Sequence, residues 1–199
     1  MAPRMRCNGV DRETELALLR GVRAGDAAAF DAVYAAYNPR LFGFLARLTR
    51  RREVAEELLE ETWVRFVRHA DRLEPDTQIG AWLFTVARNL HVSYCRTRAV
   101  ESAAVADLSL WPAPSSETPF DVAARTEFEE RVEAVLAELP ITLREALLLV
   151  AVDGMQPAEA AGVCGISGEA MRQRVRRARM MLAERLGYSF GELRRKTGA

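Results

Sequence analysis

Apolar side chains recur at three- and four-residue intervals along most of the chain, and no alternating run of strand length interrupts them. The pattern predicts an all-α protein. A first helix is expected over 12–24, with Leu16, Leu19 and Val22 on its inner side and Gly25 as its stop. Asp26 then caps a second helix whose stripe is Phe30, Val33, Tyr34 and Tyr37. Asn38-Pro39 predicts a break, because the residue before a proline avoids helical geometry. A third helix through Leu41, Phe42, Leu45 and Leu48 follows. Over 53–70 the stripe is Val54, Leu58, Leu59, Thr62, Phe66 and Val67. A loop over 71–77 leads to a long helix over 78–98.

Residues 100–119 break the periodicity. Pro112, Pro114 and Pro119 with Ser115, Ser116 and Thr118 make a stretch too polar and interrupted to pack as an element, so this is the expected linker. Helices resume over 122–139, ended by Pro140, and over 142–152, closed by Asp153-Gly154. Pro157 suits the first position of a short helix ending at Cys164. Gly165-Ile166-Ser167 is a tight turn, and Ser167 caps a last helix over 168–186. The expected organisation is therefore two small helical domains joined by a flexible linker. Residues 1–25 form an N-terminal segment and helix packed on a first domain of 26–99. The linker of 100–119 precedes a second domain of 120–187 and a basic tail of 188–199.

Short helix, glycine-containing turn and longer second helix are the parts of a helix-turn-helix. On the longer helix Met171, Val175, Ala178 and Leu182 share a face, which turns Arg172, Arg174, Arg176, Arg177 and Arg179 elsewhere. From Gly165 to Ala199 there are nine basic residues against three acidic ones, a surplus of six. Such a helix suits the major groove, where arginines reach phosphates and guanine edges. A solvated basic face is the plainer reading of the same pattern. In the first domain Trp82, Phe84, Arg88, Asn89, His91, Tyr94, Arg96 and Arg98 mix aromatic and basic groups on or beside one helix. That mixture suits unpaired bases, although several of these rings must be core. Glu53, Glu56, Glu57, Glu60 and Glu61 crowd the first half of the 53–70 helix. The helix dipole accounts for the first two and leaves the others unexplained.

Composition narrows the rest. With 199 residues, 49% of them apolar, the chain can bury real cores, and its 28 basic and 28 acidic groups cancel. The nucleic-acid signal is thus one of placement rather than net charge. There is no apolar run of the ~18–20 residues that span a bilayer. Arg4 and Arg6 precede no signal-like stretch, so a cytoplasmic protein is expected. Cys7, Cys95 and Cys164 match no metal-ligand spacing, and His69 and His91 are the only histidines. With no nucleophile motif or phosphate loop either, no enzyme, cofactor or metal is expected.

Taken together, residues 27–73 followed by 81–98, and residues 132–186, resemble conserved regions 2 and 4 of the extracytoplasmic-function (ECF, group IV) RNA polymerase sigma factors of the sigma-70 family. The resemblance implies a factor that binds RNA polymerase core, recognises the −35 and −10 promoter elements and promotes strand opening. It implies that Glu57, Glu60, Glu61 and Trp63 meet the β′ clamp helices, and that the β flap of polymerase core is contacted as well. Asp76, Thr77 and Gln78 would lie near a flipped −10 base, with Trp82, Arg88 and Asn89 along the non-template strand. Gly168, Glu169, Arg172, Arg174 and Arg176 would lie nearest the −35 groove. It implies an anti-sigma factor as a further partner. The alternative is a helix-turn-helix regulator that binds a palindromic duplex without polymerase.

Overall fold

In a computed structural model, residues 11–104 and 127–188 are described, and they fall into two compact helical units. The first unit contains α1 (Arg12–Arg23), α2 (Ala27–Thr49), α3 (Arg52–His69), a 3₁₀ turn (Ala70–Arg72) and α4 (Ile79–Ala104). The second contains α5 (Glu127–Glu138), α6 (Ile141–Leu147) continuing as a π turn (Leu148–Val152), α7 (Pro157–Cys164) and α8 (Gly168–Leu186). No strand occurs among the described residues.

The caps follow local chemistry. Asp11 accepts from the Glu13 and Thr14 amides at the head of α1, and these bonds, with that from the Thr14 hydroxyl, hold its carboxyl below the usual range. Asp26 accepts from Ala28 N–H and Ser167 from Ala170 N–H, so both expected caps are present.

The expected break at Asn38-Pro39 does not occur: α2 runs straight through Pro39. The carbonyl that Pro39 cannot bond belongs to Ala35. Both residues are exposed, so water can serve it. Continuity keeps Val33, Tyr37, Leu41, Phe44, Leu45 and Leu48 in one buried stripe, and that burial outweighs the local preference. The stripe of α3 also differs from the expected one. Val54, Ala55, Thr62, Trp63 and Phe66 are buried, Leu58 and Leu59 are half-buried, and Val67 is 58% exposed. Helix α4 continues to Ala104, so residues 100–104 are its last turn rather than linker.

In the second unit the expected helix over 142–152 begins one residue earlier and widens into the π turn, where Asp153 N–H reaches Leu148 C=O at 2.9 Å. Leu147, Leu148 and Leu149 are all buried. Three consecutive side chains at roughly 100° each cannot share one α-helical face, and the wider turn narrows that spread. Buried Arg144 donates to the carbonyls of Leu136 (3.1 Å), Ala137 and Leu139 (3.0 Å), closing the C-terminal end of α5. Gly165, at φ 64°, ends α7. Its N–H bonds Gly162 C=O, and Ile166 N–H bonds Ala161 C=O, the paired closure that a left-handed residue permits. Three residues separate α7 from α8, and the helix-turn-helix is complete. The expected start of its unit at 120–126 and the tail at 189–199 lie outside the described residues.

Candidate functional site

Three surfaces bring the candidate residues together. On α3, Glu57 and Glu60 are exposed and have no ion partner among the described residues. Glu61 is half-buried and pairs with Arg65 at 2.8 Å, and Glu56 pairs with Arg52 at 2.8 Å. Trp63 is only 7% exposed. Its indole N–H donates to the Asn38 side chain at 2.9 Å, and its ring meets those of Tyr34 (4.8 Å), Phe66 (5.8 Å) and Phe30 (6.0 Å). Trp63 is therefore a wall rather than a protrusion. With Tyr34, Leu59, Glu60, Val64 and Val67 it lines an apolar groove of roughly 490 Å³. Sequence periodicity assigns Leu59 and Val67 to the core. The groove exists because the buried face of α3 is carried by Val54, Thr62, Trp63 and Phe66 instead. The exposed acids and the groove form one continuous face.

The second surface is the approach to α4. Glu74, Pro75, Asp76 and Thr77 make a tight turn closed by Thr77 N–H to Glu74 C=O at 3.0 Å. Asp76 and Gln78 are exposed and Thr77 is half-buried. Trp82 is half-buried, its ring 5.7 Å from Phe66 and 6.3 Å from His69. Gln78, Trp82 and Asn89 are spaced to share a helical face. Arg88, half-buried, sits one position round from it. Phe84 and His91 are buried and belong to the core.

This turn is held from α1, by residues that the helical stripe did not single out. Glu15 is 8% exposed. One of its oxygens accepts from the Tyr37 hydroxyl and from Gly80 N–H, both at 3.0 Å, and the other accepts from Arg12 at 3.0 Å. Arg12 also donates to the backbone carbonyls of Asp76 and of Thr77, the latter at 3.4 Å. Burial, then the neighbouring Glu15 carboxylate, raises the Tyr37 phenol above its ordinary range, so the hydroxyl remains a donor. Gly80 is the close approach in this cluster. A Cβ there would lie 2.9 Å from Tyr37 Cε1. One signal was available in the sequence: Glu15, Leu19 and Val22 share helical phase, which puts a carboxylate in an apolar stripe.

The third surface is α8. Met171, Val175, Ala178 and Leu182 are buried as their spacing requires, and Leu186 continues the face. Arg172, Arg176 and Arg177 are exposed, while Gly168, Arg174 and Arg179 are half-buried. Arg172 is already engaged. It donates to Glu169 at 3.1 and 2.6 Å, and Gln173 adds a bond at 3.4 Å. The Arg172 bond, chiefly, holds the Glu169 carboxyl below its ordinary range. Arg174, Arg176 and Arg177 have no ion partner among the described residues.

Residues 33–100 match Sigma-70 region 2, and residues 129–182 match Sigma-70, region 4. The ECF RNA polymerase sigma factor EcfG of Rhodopseudomonas palustris is 36% identical over 73% of this chain and 78% of its own. RNA polymerase sigma factor CarQ of Myxococcus xanthus is 34% identical over 83% of this chain and 93% of its own. Among solved structures, the sigma factor RpoE in complex with the anti-sigma factor NepR, from Bartonella quintana, is similar at 26% identity and a TM-score of 0.65. The similarity covers 79% of this chain and 96% of that one. With both conserved regions in order and relatives matched over most of their length, the chain belongs to the ECF family of RNA polymerase sigma factors.

Proposed function

We propose that this sigma factor divides its work among the three surfaces, within the group IV subclass. The acid-bearing face of α3 docks on the β′ clamp helices of polymerase core. Glu57, Glu60 and Glu61 meet basic side chains, and the groove walled by Trp63 takes an apolar one. Asp76, Thr77 and Gln78 receive a flipped −10 base, and Trp82, Arg88 and Asn89 follow the non-template strand. Stacking on Trp82 offsets part of the lost pairing. Helix α8 lies in the −35 major groove, led by Gly168, Glu169, Arg172, Arg174 and Arg176, while its unit contacts the β flap.

The observation that carries this reading is the order of features. An acid-bearing region 2 helix with an apolar groove precedes a helix-turn-helix whose outward face is arginine. A helix-turn-helix regulator acting without polymerase would leave the region 2 match without a purpose. The protein works in the cytoplasm, contributes binding and strand opening rather than bond chemistry, and is held off by an anti-sigma factor, as the RpoE–NepR complex suggests by analogy. No described helix is long and apolar enough to cross a membrane.

The test is run-off transcription with core polymerase and genomic fragments. Discrete transcripts that require the added protein are expected, and their start sites define the promoter. Core that initiates no more selectively with the protein than without it would refute the assignment.

A further inference from the structure

We propose that α1 is a part of the −10 reading apparatus: Arg12, backed by Glu15, is a positioning residue that holds the Asp76–Gln78 turn in its base-receiving shape. The inference rests on the assignment of that turn to the −10 element. It also extends that assignment, because the region 2 match begins at residue 33 and leaves α1 outside it.

The turn has few means of holding itself. It is exposed at Asp76 and Gln78, and one internal backbone bond, Thr77 N–H to Glu74 C=O, closes it. Its shape is fixed at two other points. At the downstream end, buried Glu15 accepts from Gly80 N–H and so ties the first turn of α4 to α1. In the middle, the Arg12 guanidinium donates to the carbonyls of Asp76 and Thr77 while bonded to the second Glu15 oxygen. A planar guanidinium can serve three acceptors at once, which an ammonium on a flexible stem does less well. The Tyr37 hydroxyl completes the set by fixing the Glu15 carboxylate from α2.

Arg12 contacts only the backbone of the turn, so the Asp76, Thr77 and Gln78 side chains remain available to a ligand. A turn ordered in advance loses less freedom when an extruded base arrives. The benefit is largest for the correct base, whose contacts need every group in place. Loosening the turn lets a wrong base be accommodated by rearrangement. The expected signature is therefore a loss of discrimination between bases rather than a uniform loss of affinity.

The experiment uses full-length protein with core polymerase on fork-junction DNA carrying the promoter found by run-off. The −10 non-template strand is unpaired, and each base is varied in turn. Arg12→Ala should reduce the ratio of affinities for correct over incorrect base by about tenfold, the scale of losing charge-assisted bonds that hold a loop. Its core affinity and −35 duplex binding should stay at wild type, and its melting temperature should fall no further than that of Tyr37→Phe, which also takes one donor from Glu15. Arg12→Lys should restore part of the ratio. Tyr37→Phe should lower stability in the same way while keeping the ratio, since Arg12 and Gly80 retain their bonds to Glu15. Asp76→Ala and Gln78→Ala test the underlying assignment. If they lower the ratio and Arg12→Ala does not, the positioning role is wrong. If neither they nor Arg12→Ala changes it, the turn does not read the base and both ideas fall together.

Discussion

Replacing Gly80 with alanine tests whether the Tyr37–Glu15–Gly80 cluster is as rigid as its geometry implies. The added methyl would sit 2.9 Å from Tyr37 Cε1 and 3.2 Å from its hydroxyl oxygen, well inside ordinary contact. Tyr37 is 5% exposed and its hydroxyl is bonded to Glu15, so the ring cannot swing away without giving up that bond. Moving the start of α4 instead strains Gly80 N–H to Glu15. Either way a buried carboxylate loses a donor, at about 1–3 kcal/mol. Alanine's better helix propensity returns at most about 1 kcal/mol, less so close to the helix start. A net loss of roughly 1–2 kcal/mol corresponds to a fall of about 5–15 °C in Tm for a unit of this size. Trp63 and Trp82 lie in this unit, so thermal melting followed by tryptophan fluorescence reports on it. In a Tyr37→Phe background the hydroxyl contact and the anchoring bond are both gone and the ring can slide. The same glycine substitution should then cost about 1 kcal/mol less. An unchanged Tm for Gly80→Ala, or an equal cost in both backgrounds, would refute the argument.

Charge reversal at Glu57 and Glu60 (E57K with E60K) should leave melting unchanged, since both are exposed with no ion partner among the described residues, but cut capture of core polymerase at least tenfold in a pull-down; undiminished capture would assign α3 another purpose. Arg176→Ala should weaken −35 duplex binding similarly across sequences and lower the salt slope by roughly 0.9, the value for one phosphate contact. Arg172→Ala, which also frees Glu169, should alter base preference instead; fluorescence anisotropy against salt and sequence separates the two. Arg144→Met removes the buried donor from three carbonyls and should destabilise the second unit by about 3 kcal/mol. Calorimetry would register this as loss of one transition, while a fork-junction lacking the −35 element is still bound.

What the sequence disclosed depended on whether burial or polar contact sets the local structure. The cap of α8 at Ser167 and the turn at Gly165 follow from residue chemistry and were legible. The break at Pro39 was misread because a proline's local cost is visible in sequence, whereas the stripe that overrides it spans both sides of the proline and acts through α3 and α4. Val67 was misread for a related reason. Its three- and four-residue spacing fits the core face, but Trp63 and Phe66 already fill that face, leaving Val67 on the groove. The π turn was missed because a run from Leu147 to Val152 carries no phase with which to signal one.

The same contrast explains why the three surfaces were unequally visible. On α8 the buried set Met171, Val175, Ala178 and Leu182 fixes the rotation of the helix, so the direction of every arginine follows from counting. On α3 the buried set fixes the acids likewise, with the groove as the only surprise. The Asp76–Gln78 turn has no period, and its own residues hold it only through Pro75 and the Thr77 N–H to Glu74 C=O bond. It must be held by polar groups supplied from elsewhere in the fold, and these come from a helix more than 60 residues away in the chain. A carboxylate in an apolar stripe is the trace such a tether leaves. Glu15 is therefore better read as evidence of a distant partner than as an interruption of the core.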